Sequence, residues 1–359
     1  MLAEKAKELL TLIADESASQ EALGAGFGKF FGAAESADDS ERSAALRVLA
    51  RGLELESAER FRISALVCGA LLERSKTIDA GPMIGPLIDR LSRIAPLARR
   101  FGEACGASIP KEAEDREAQF EKNQKRVGPT MPKEAAAWGL LQALFPPLIA
   151  IFSRSPEARQ SGLELLEDLD ALAEHHQGAF WISKMLRVLH DEPYVAIDLE
   201  TGIGIEGRMS GISENFQLHV LLMDVFPADG AGKRRVSKAA ADMARGLGPQ
   251  QSDEKITGFW NLYDWTALQG AGALPRGKWL TAKGFQGHEH WIWNEGTPAD
   301  IPIFEGRRVI LLGPASYPRG WGAMRTFAAL AAELTIDKQL SAAEGQALLE
   351  KMANAAPAD

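Results

Sequence analysis

A short run near residue 290 contains the residue types that bind transition metals. His288 and His290 are separated by one residue, and Glu295 follows a few residues later. Alternate residues of a strand share one face, so a strand here would point both imidazoles the same way. Two imidazoles and a carboxylate form a facial triad suited to Fe(II), Mn(II) or Zn(II), with open positions for a substrate. These three residues are the predicted metal ligands.

The string from His288 to Glu295 also resembles the first motif of the cupin family, in which H-x-H is followed by a glutamate. The resemblance implies three of the usual metal ligands of a cupin and a divalent ion as cofactor. The chain departs from the motif because Pro302 occupies the place of the closing glycine and no histidine follows His290. A metal-dependent enzyme with a cupin-like site is one of two functional hypotheses.

A second candidate site lies in the loop after a short apolar run, Val309–Leu312. Loops that follow buried strands often hold ligands, and free N–H groups there favour an anion. Arg319 and Arg325 would add positive charge to this loop. Ser316 or Tyr317 would supply a hydroxyl group. Tyr317 and Arg319 are the predicted ligand-binding residues.

Tryptophan is concentrated in the same part of the chain, where six of the eight indoles fall between Trp260 and Trp321. Indoles in a small domain fill its core or present flat faces to a ligand. Trp291 and Trp293 complete the predicted ligand-binding set, because exposed indoles are effective anchors for a partner.

The other functional hypothesis is a non-catalytic protein-binding protein, such as an adaptor, an immunity-type protein or an assembly protein. The chain contains no Gly-x-Ser-x-Gly elbow, no HExxH and no CxxC, which removes support for serine hydrolases, zincins and thioredoxin-like proteins. This hypothesis needs no cofactor, and its partner is another protein.

Charge and cysteine content limit the partners and the compartment. The net charge of −9 argues against binding to nucleic acid or to an anionic membrane, because both need a basic field. Cys68 and Cys105 cannot form a disulfide framework, which indicates a reducing cytosol. The longest apolar stretch, Trp138–Phe152, is interrupted by Pro146 and Pro147 and is short for a membrane span. We therefore predict a cytoplasmic protein.

The elements that position these residues predict an α+β fold in two parts. Residues 1–190 read as a helical domain, with a HEAT-like array as one arrangement. The charged segment 111–129 inside it is predicted as a linker or a solvated helix. Apolar residues recur with helical period over 2–13 and 83–105. Residues 191–359 read as a mixed α/β, tryptophan-rich domain.

Local patterns predict the elements of this second domain. Strand alternation over 194–208 predicts a hairpin, and Val309–Leu312 predicts a buried strand. Helices are predicted over 216–226, around the basic residues Lys233–Lys238 and over 321–334. Ser341 with Glu344 forms a capping box for a last helix.

Two further strings, Asn215–His219 and Trp293–Pro302, resemble segments of uncharacterised bacterial proteins of similar length. The resemblance spans the C-terminal half of the chain. It implies a bacterial cytosolic origin and brings no activity or residue role.

Overall fold

The computed structural model describes residues 2–110, 112, 114–227 and 235–356. These residues divide into two units, Met1–Leu186 and Arg187–Asp359. Helices account for 56% of the residues and strands for 13%, with a series of helices followed by a curled mixed sheet. The predicted α+β fold class is confirmed.

Three helices of the first unit begin at a side-chain cap. The side chains of Ser19, Asp38 and Ser155 each accept a hydrogen bond from a backbone N–H in the first helical turn, which satisfies a donor that the helix leaves free. The helices are α1 (Leu2–Ala14), α2 (Gln20–Ser36), α3 (Asp39–Leu49), α4 (Ala58–Leu72), α5 (Gly81–Gly106), α6 (Arg116–Val127), α7 (Pro132–Phe152), α8 (Pro156–Gly162), α9 (Leu166–Leu172) and α10 (Gln177–Leu186).

Helix α7 lies at the centre of this unit, in contact with α4, α5 and α10. By length and composition it is apolar enough to cross a membrane, and half of its most apolar window is buried in the protein; a core helix passes the same test. It continues through Pro146 and Pro147, where we expected an interruption. Gly69 of α4 allows this packing, because a Cβ there would lie 3.0 Å from Pro147 Cα.

One segment of the helical unit differs from the sequence pattern. Ser155 as an N-cap, Pro156 at the first helical position and Gly178 as a stop signal predict one helix, but the chain forms α8, a 3₁₀ turn and α9, and Gly178 lies inside α10. The charged segment 111–129 includes helix α6, which buries Phe120 and Val127. Residues 111 and 113 lie outside the described residues. The HEAT-like arrangement stays a prediction.

The second unit contains one mixed sheet and a separate strand pair. The strands are β1 (Glu192–Asp198), β2 (Gly204–Ser210), β3 (Gln251–Thr257), β4 (Trp260–Tyr263), β5 (Ile303–Phe304), β6 (Arg307–Pro314), β7 (Gly320–Met324), β8 (Glu333–Leu334) and β9 (Lys338–Leu340). The strand order is β4-β6-β1-β2-β8, with β5 on β6 and β9 on β2, while β3 pairs with β7. β1 and β6 are parallel. The helices are α11 (Asn215–Val225), α12 (Lys238–Ala244) and α13 (Ala342–Ala353).

Both faces of the central strands are buried. Tyr194 and Ala196 of β1 share a cluster with apolar residues of α11 and α12. Val195 and Ile197, on the opposite face, pack with apolar residues of α13. The continuous apolar runs in β1 and β6 follow from this arrangement, since neither face meets water. The predicted hairpin is confirmed as β1 and β2.

The predicted helix over 321–334 is wrong. Residues 320–324 are strand β7, paired antiparallel with β3, and 333–334 are β8. Pairing with a strand so distant in the chain leaves no local sequence signal. Helix α12 begins at Lys238 with Ser237 as its N-cap, and Lys233 and Arg234 of the predicted basic helix lie outside the described residues.

Candidate functional site

The four predicted ligand-binding residues lie on two neighbouring segments of the second unit. Tyr317 and Arg319 belong to the loop between β6 and β7. Trp291 and Trp293 belong to a segment that runs along β4. The Ile292 N–H donates to the Leu262 carbonyl at 2.9 Å, and the Asp264 N–H donates to the His290 carbonyl at 2.9 Å. We call Trp291, Trp293, Tyr317 and Arg319 the arginine–aromatic surface.

Arg319 connects the two segments. Its guanidinium carbon lies 5.7 Å from the ring centroid of Trp291 and 5.9 Å from that of Tyr317, within the range of cation–π attraction. Its Nη2 donates to the Trp260 carbonyl at 2.7 Å. These contacts place the cation beside two rings and anchor it to strand β4.

The outer part of the arginine–aromatic surface is open to solvent. Trp293 is 51% exposed and Tyr317 is 50% exposed. The Trp291 and Trp293 rings lie 5.4 Å apart, and the His288 ring lies 4.3 Å from Trp291. The Trp293 carbonyl accepts a hydrogen bond from the Asn215 side chain at 2.8 Å. The exposed indole therefore projects from a backbone that is fixed at the start of α11.

A buried polar layer lies beneath this surface. His219 of α11 is fully buried, and its Nε2 accepts the Trp260 N–H at 3.5 Å. Burial, and then the charge of Arg319, lower the pKa of His219 to about 4, while Asn294 opposes the shift. Neither His219 Nδ1 nor Asn294 Oδ1 makes a full hydrogen bond with the described residues. His219 is therefore neutral at physiological pH, with its proton on Nδ1.

The structure does not bring His288, His290 and Glu295 together as metal ligands. Residues 288–290 form a bend and a turn, not a strand, so the H-x-H spacing does not place both imidazoles on one face. No group of three or more His, Cys, Asp or Glu residues suited to a metal ion occurs in the part of the chain that the structure describes.

Each predicted metal ligand has another environment. Nδ1 of His290 hydrogen-bonds Thr266 Oγ1 at 2.9 Å, and the Thr266 hydroxyl in turn donates to Asp264. Thr266 has one hydroxyl proton, so His290 must be the donor of its hydrogen bond. His288 contacts Trp291 edge to face, and Glu295 is exposed.

Arg325, the other arginine predicted to add charge to the loop, is a structural residue. It is 6% exposed, and its guanidinium donates to the carbonyls of Gly248, Pro249, Met243 and Ala328. The donors of Arg325 are therefore used by backbone carbonyls, and these hydrogen bonds stabilise the loop that precedes β3. Of the two arginines predicted to add charge to this loop, Arg319 is the one with N–H groups that make no hydrogen bond to the described residues.

The sequence analysis missed His219 and Asn294 as parts of the site. The two strings that resemble bacterial proteins contain these residues, and the strings meet in the fold. The Phe216 N–H donates to the Asn294 carbonyl, and the Asn215 N–H donates to the Gly296 carbonyl, both at 2.9 Å. The presence of His219 and Asn294 in these two strings was the one sequence signal that pointed to the buried layer.

The first unit contains a groove of about 820 Å³, lined by residues of α6, α7 and α10. Its two histidines have structural roles. The His175 ring stacks on Phe120 at 4.2 Å. His176 accepts the Ala179 N–H at 3.1 Å, which caps α10, and its Nε2 donates to the Trp138 carbonyl at 3.1 Å. Burial lowers the pKa of His176, in agreement with a neutral ring.

Comparisons with protein-family models, curated proteins and solved structures found no match. Function is therefore inferred from the geometry of the arginine–aromatic surface.

Proposed function

We propose that this chain is a non-catalytic protein-binding protein and that the arginine–aromatic surface is its contact with the partner. The observation that carries the proposal is a connected group with two half-exposed rings: the partly buried Arg319 contacts Tyr317 and Trp291, and Trp291 contacts Trp293. Tryptophan, tyrosine and arginine are the residues most enriched among binding hot spots. Their convergence from two separate segments supports a role in recognition.

The rigidity of this surface favours binding. Trp293 is fixed through its carbonyl by Asn215, and Arg319 is fixed by Trp260 and by two rings. Side chains that are already ordered lose little conformational entropy when a partner docks. A flexible surface of the same composition would lose more, since each ordered side chain costs roughly 0.5–1.5 kcal/mol.

Comparative capture tests this proposal. The purified chain is immobilised, incubated with a lysate of its source cells, and compared with the Trp293→Ala variant by quantitative mass spectrometry. We expect recovery of the partner to fall about tenfold or more in the variant, because truncation of a hot-spot indole costs at least ~2 kcal/mol. The captured protein is then purified, and its Kd is measured with both chains.

Ile303→Ala is the matched control, because Ile303 is also 51% exposed and lies on β5 of the same unit. It should retain the partner. Equal losses for the Trp293 and Ile303 variants, or no loss for either, contradict the proposal.

A further inference from the structure

Arg319 lacks the acidic partner that four other partly buried arginines of its unit have. Arg208, Arg245, Arg307 and Arg308 are paired with Asp191, Asp224, Glu206 and Glu192, respectively. Within the described ranges Arg319 has no carboxylate partner, and its hydrogen bonding to the protein is the bond to the Trp260 carbonyl. A guanidinium withdrawn from water without a counter-charge is unfavourable unless another group supplies one.

The unused donors of Arg319 indicate where that group binds. Nε is buried without a hydrogen-bond partner, whereas Nη1 is not among the buried atoms and makes no hydrogen bond to the residues that the structure describes. The Trp291 and Tyr317 rings lie beside the guanidinium, and Nη2 has a second N–H besides the one on the Trp260 carbonyl. The edge formed by Nη1 and Nη2 is therefore the one with unused donors. A planar acceptor with two oxygens matches such an edge, because guanidinium and carboxylate form paired hydrogen bonds.

We propose that Arg319 binds the carboxylate of an acidic side chain, carried on an apolar segment of the partner that contacts Trp293 and Tyr317. This inference rests on the proposed function and specifies the chemistry of its ligand. Apolar flanks are required because the exposed Tyr317 ring contacts the cation and the exposed Trp293 ring is joined to it through Trp291. A polyanion such as nucleic acid fits poorly, since one arginine in a chain of net charge −9 supplies no extended basic field.

The charge of Arg319 is already felt by its neighbours, in agreement with its missing counter-ion. It acts on the buried His219 and disfavours protonation of that ring. A carboxylate bound at Arg319 would oppose this effect, because it brings a negative charge to the same place.

Two matched peptides test the proposal, acetyl-Leu-Phe-Glu-Phe-Leu-amide and the same peptide with Gln in place of Glu. Both lack terminal charges, so they differ only in the side-chain carboxylate. Binding to the full chain is measured by calorimetry, and the Nε–H resonance of Arg319 and the indole N–H of Trp293 are followed by NMR. We expect the Glu peptide to bind about tenfold tighter and to shift both signals, as for a hydrogen-bonded charge pair.

The variants separate the carboxylate contact from the aromatic contacts. Arg319→Gln should abolish the preference for the Glu peptide, and Arg319→Lys should retain a smaller preference, since lysine keeps the charge and loses the paired geometry. The near-UV circular dichroism of each variant confirms that the tryptophans keep their packing. Trp293→Ala should weaken both peptides equally.

The possible failures are distinguishable. Equal binding of both peptides, lost in Trp293→Ala, overturns the carboxylate contact and leaves the protein-binding function standing. Inorganic phosphate binding at Arg319 without peptide binding also overturns it. If neither peptide binds at millimolar concentration, the carboxylate proposal is wrong, and the capture experiment decides the binding function separately.

Discussion

At the scale of single residues, the buried His219 makes the free energy of unfolding depend on pH in the acid range. Its pKa is lowered from 6.5 to about 4 by burial and by Arg319. The unfolded chain therefore takes up a proton near pH 6.5 that the folded chain refuses until about pH 4. Stability from this residue is present above pH 6.5 and is lost as the pH falls toward 4, by up to ~3 kcal/mol.

Urea unfolding followed by tryptophan fluorescence measures this effect. Burial also lowers the pKa of His176, so part of the wild-type pH dependence should remain in the His219→Gln variant. This variant should lose the part that His219 contributes between pH 7 and 4. His190→Gln, at an exposed histidine of the same unit, should keep it. Parallel pH profiles for the wild type and the His219 variant would falsify the assignment.

Residue composition predicted part of the site. Trp291, Trp293, Tyr317 and Arg319 were chosen because their types suit recognition, and the structure brings them into one connected group. The predicted metal ligands are not brought together, because the two imidazoles of H-x-H share a face only on a strand. The backbone at 288–290 forms a turn instead. His219 was missed because its contacts with Trp260 and Asn294 come from tertiary packing, which no local pattern reports.

At the scale of elements, the contact between α4 and α7 depends on Gly69. We expect Gly69→Val to destabilise the first unit by ~1–3 kcal/mol, because the new side chain meets the backbone of Pro147 and forces the helices apart. Thermal or urea unfolding monitored by circular dichroism measures the change.

Gly139→Val is the control on α7 itself, since a Cβ at Gly139 has nothing within 4 Å. It should change stability by less than ~0.5 kcal/mol, because the new side chain meets no neighbour and valine is better than glycine in a helix by only a few tenths of a kcal/mol. A Gly69 variant as stable as the Gly139 variant contradicts the packing account.

Elements with a repeated apolar face were predictable. Helix α5 buries Met83, Leu87, Leu91 and Ile94, the same face that its period indicates. The hairpin and the Ser341 capping box were predictable because their signals lie within a few residues. Strand β7 was mistaken for a helix because its partner, β3, is remote in the sequence.

At the scale of the whole molecule, each unit holds a core of its own. The helices of the first unit pack around α7, and the sheet of the second is buried on both faces. We expect the fragments Met1–Leu186 and Arg187–Asp359 to fold separately, because each unit has buried apolar clusters of its own.

Circular dichroism and urea titration of the two fragments test this expectation. Each fragment should show a cooperative transition, and the second should bind the Glu peptide as the full chain does. A fragment that lacks a cooperative transition would show that its core is incomplete. The change from helical periodicity to strand alternation after residue 190 predicted a division into two parts. Periodicity carries no information about which side chains meet across a fold.

The segment that carries Trp291 has one more consequence. Strand β4 is last in the sheet order, and a bridge from Tyr263 to Trp291 covers its outer side. An exposed edge strand offers unpaired backbone N–H and C=O groups, which pair with other chains and start aggregation. If the segment that carries Trp291 and Trp293 detached, the outer edge of β4 would be exposed. A partner that binds these two residues should therefore also protect the protein from self-association.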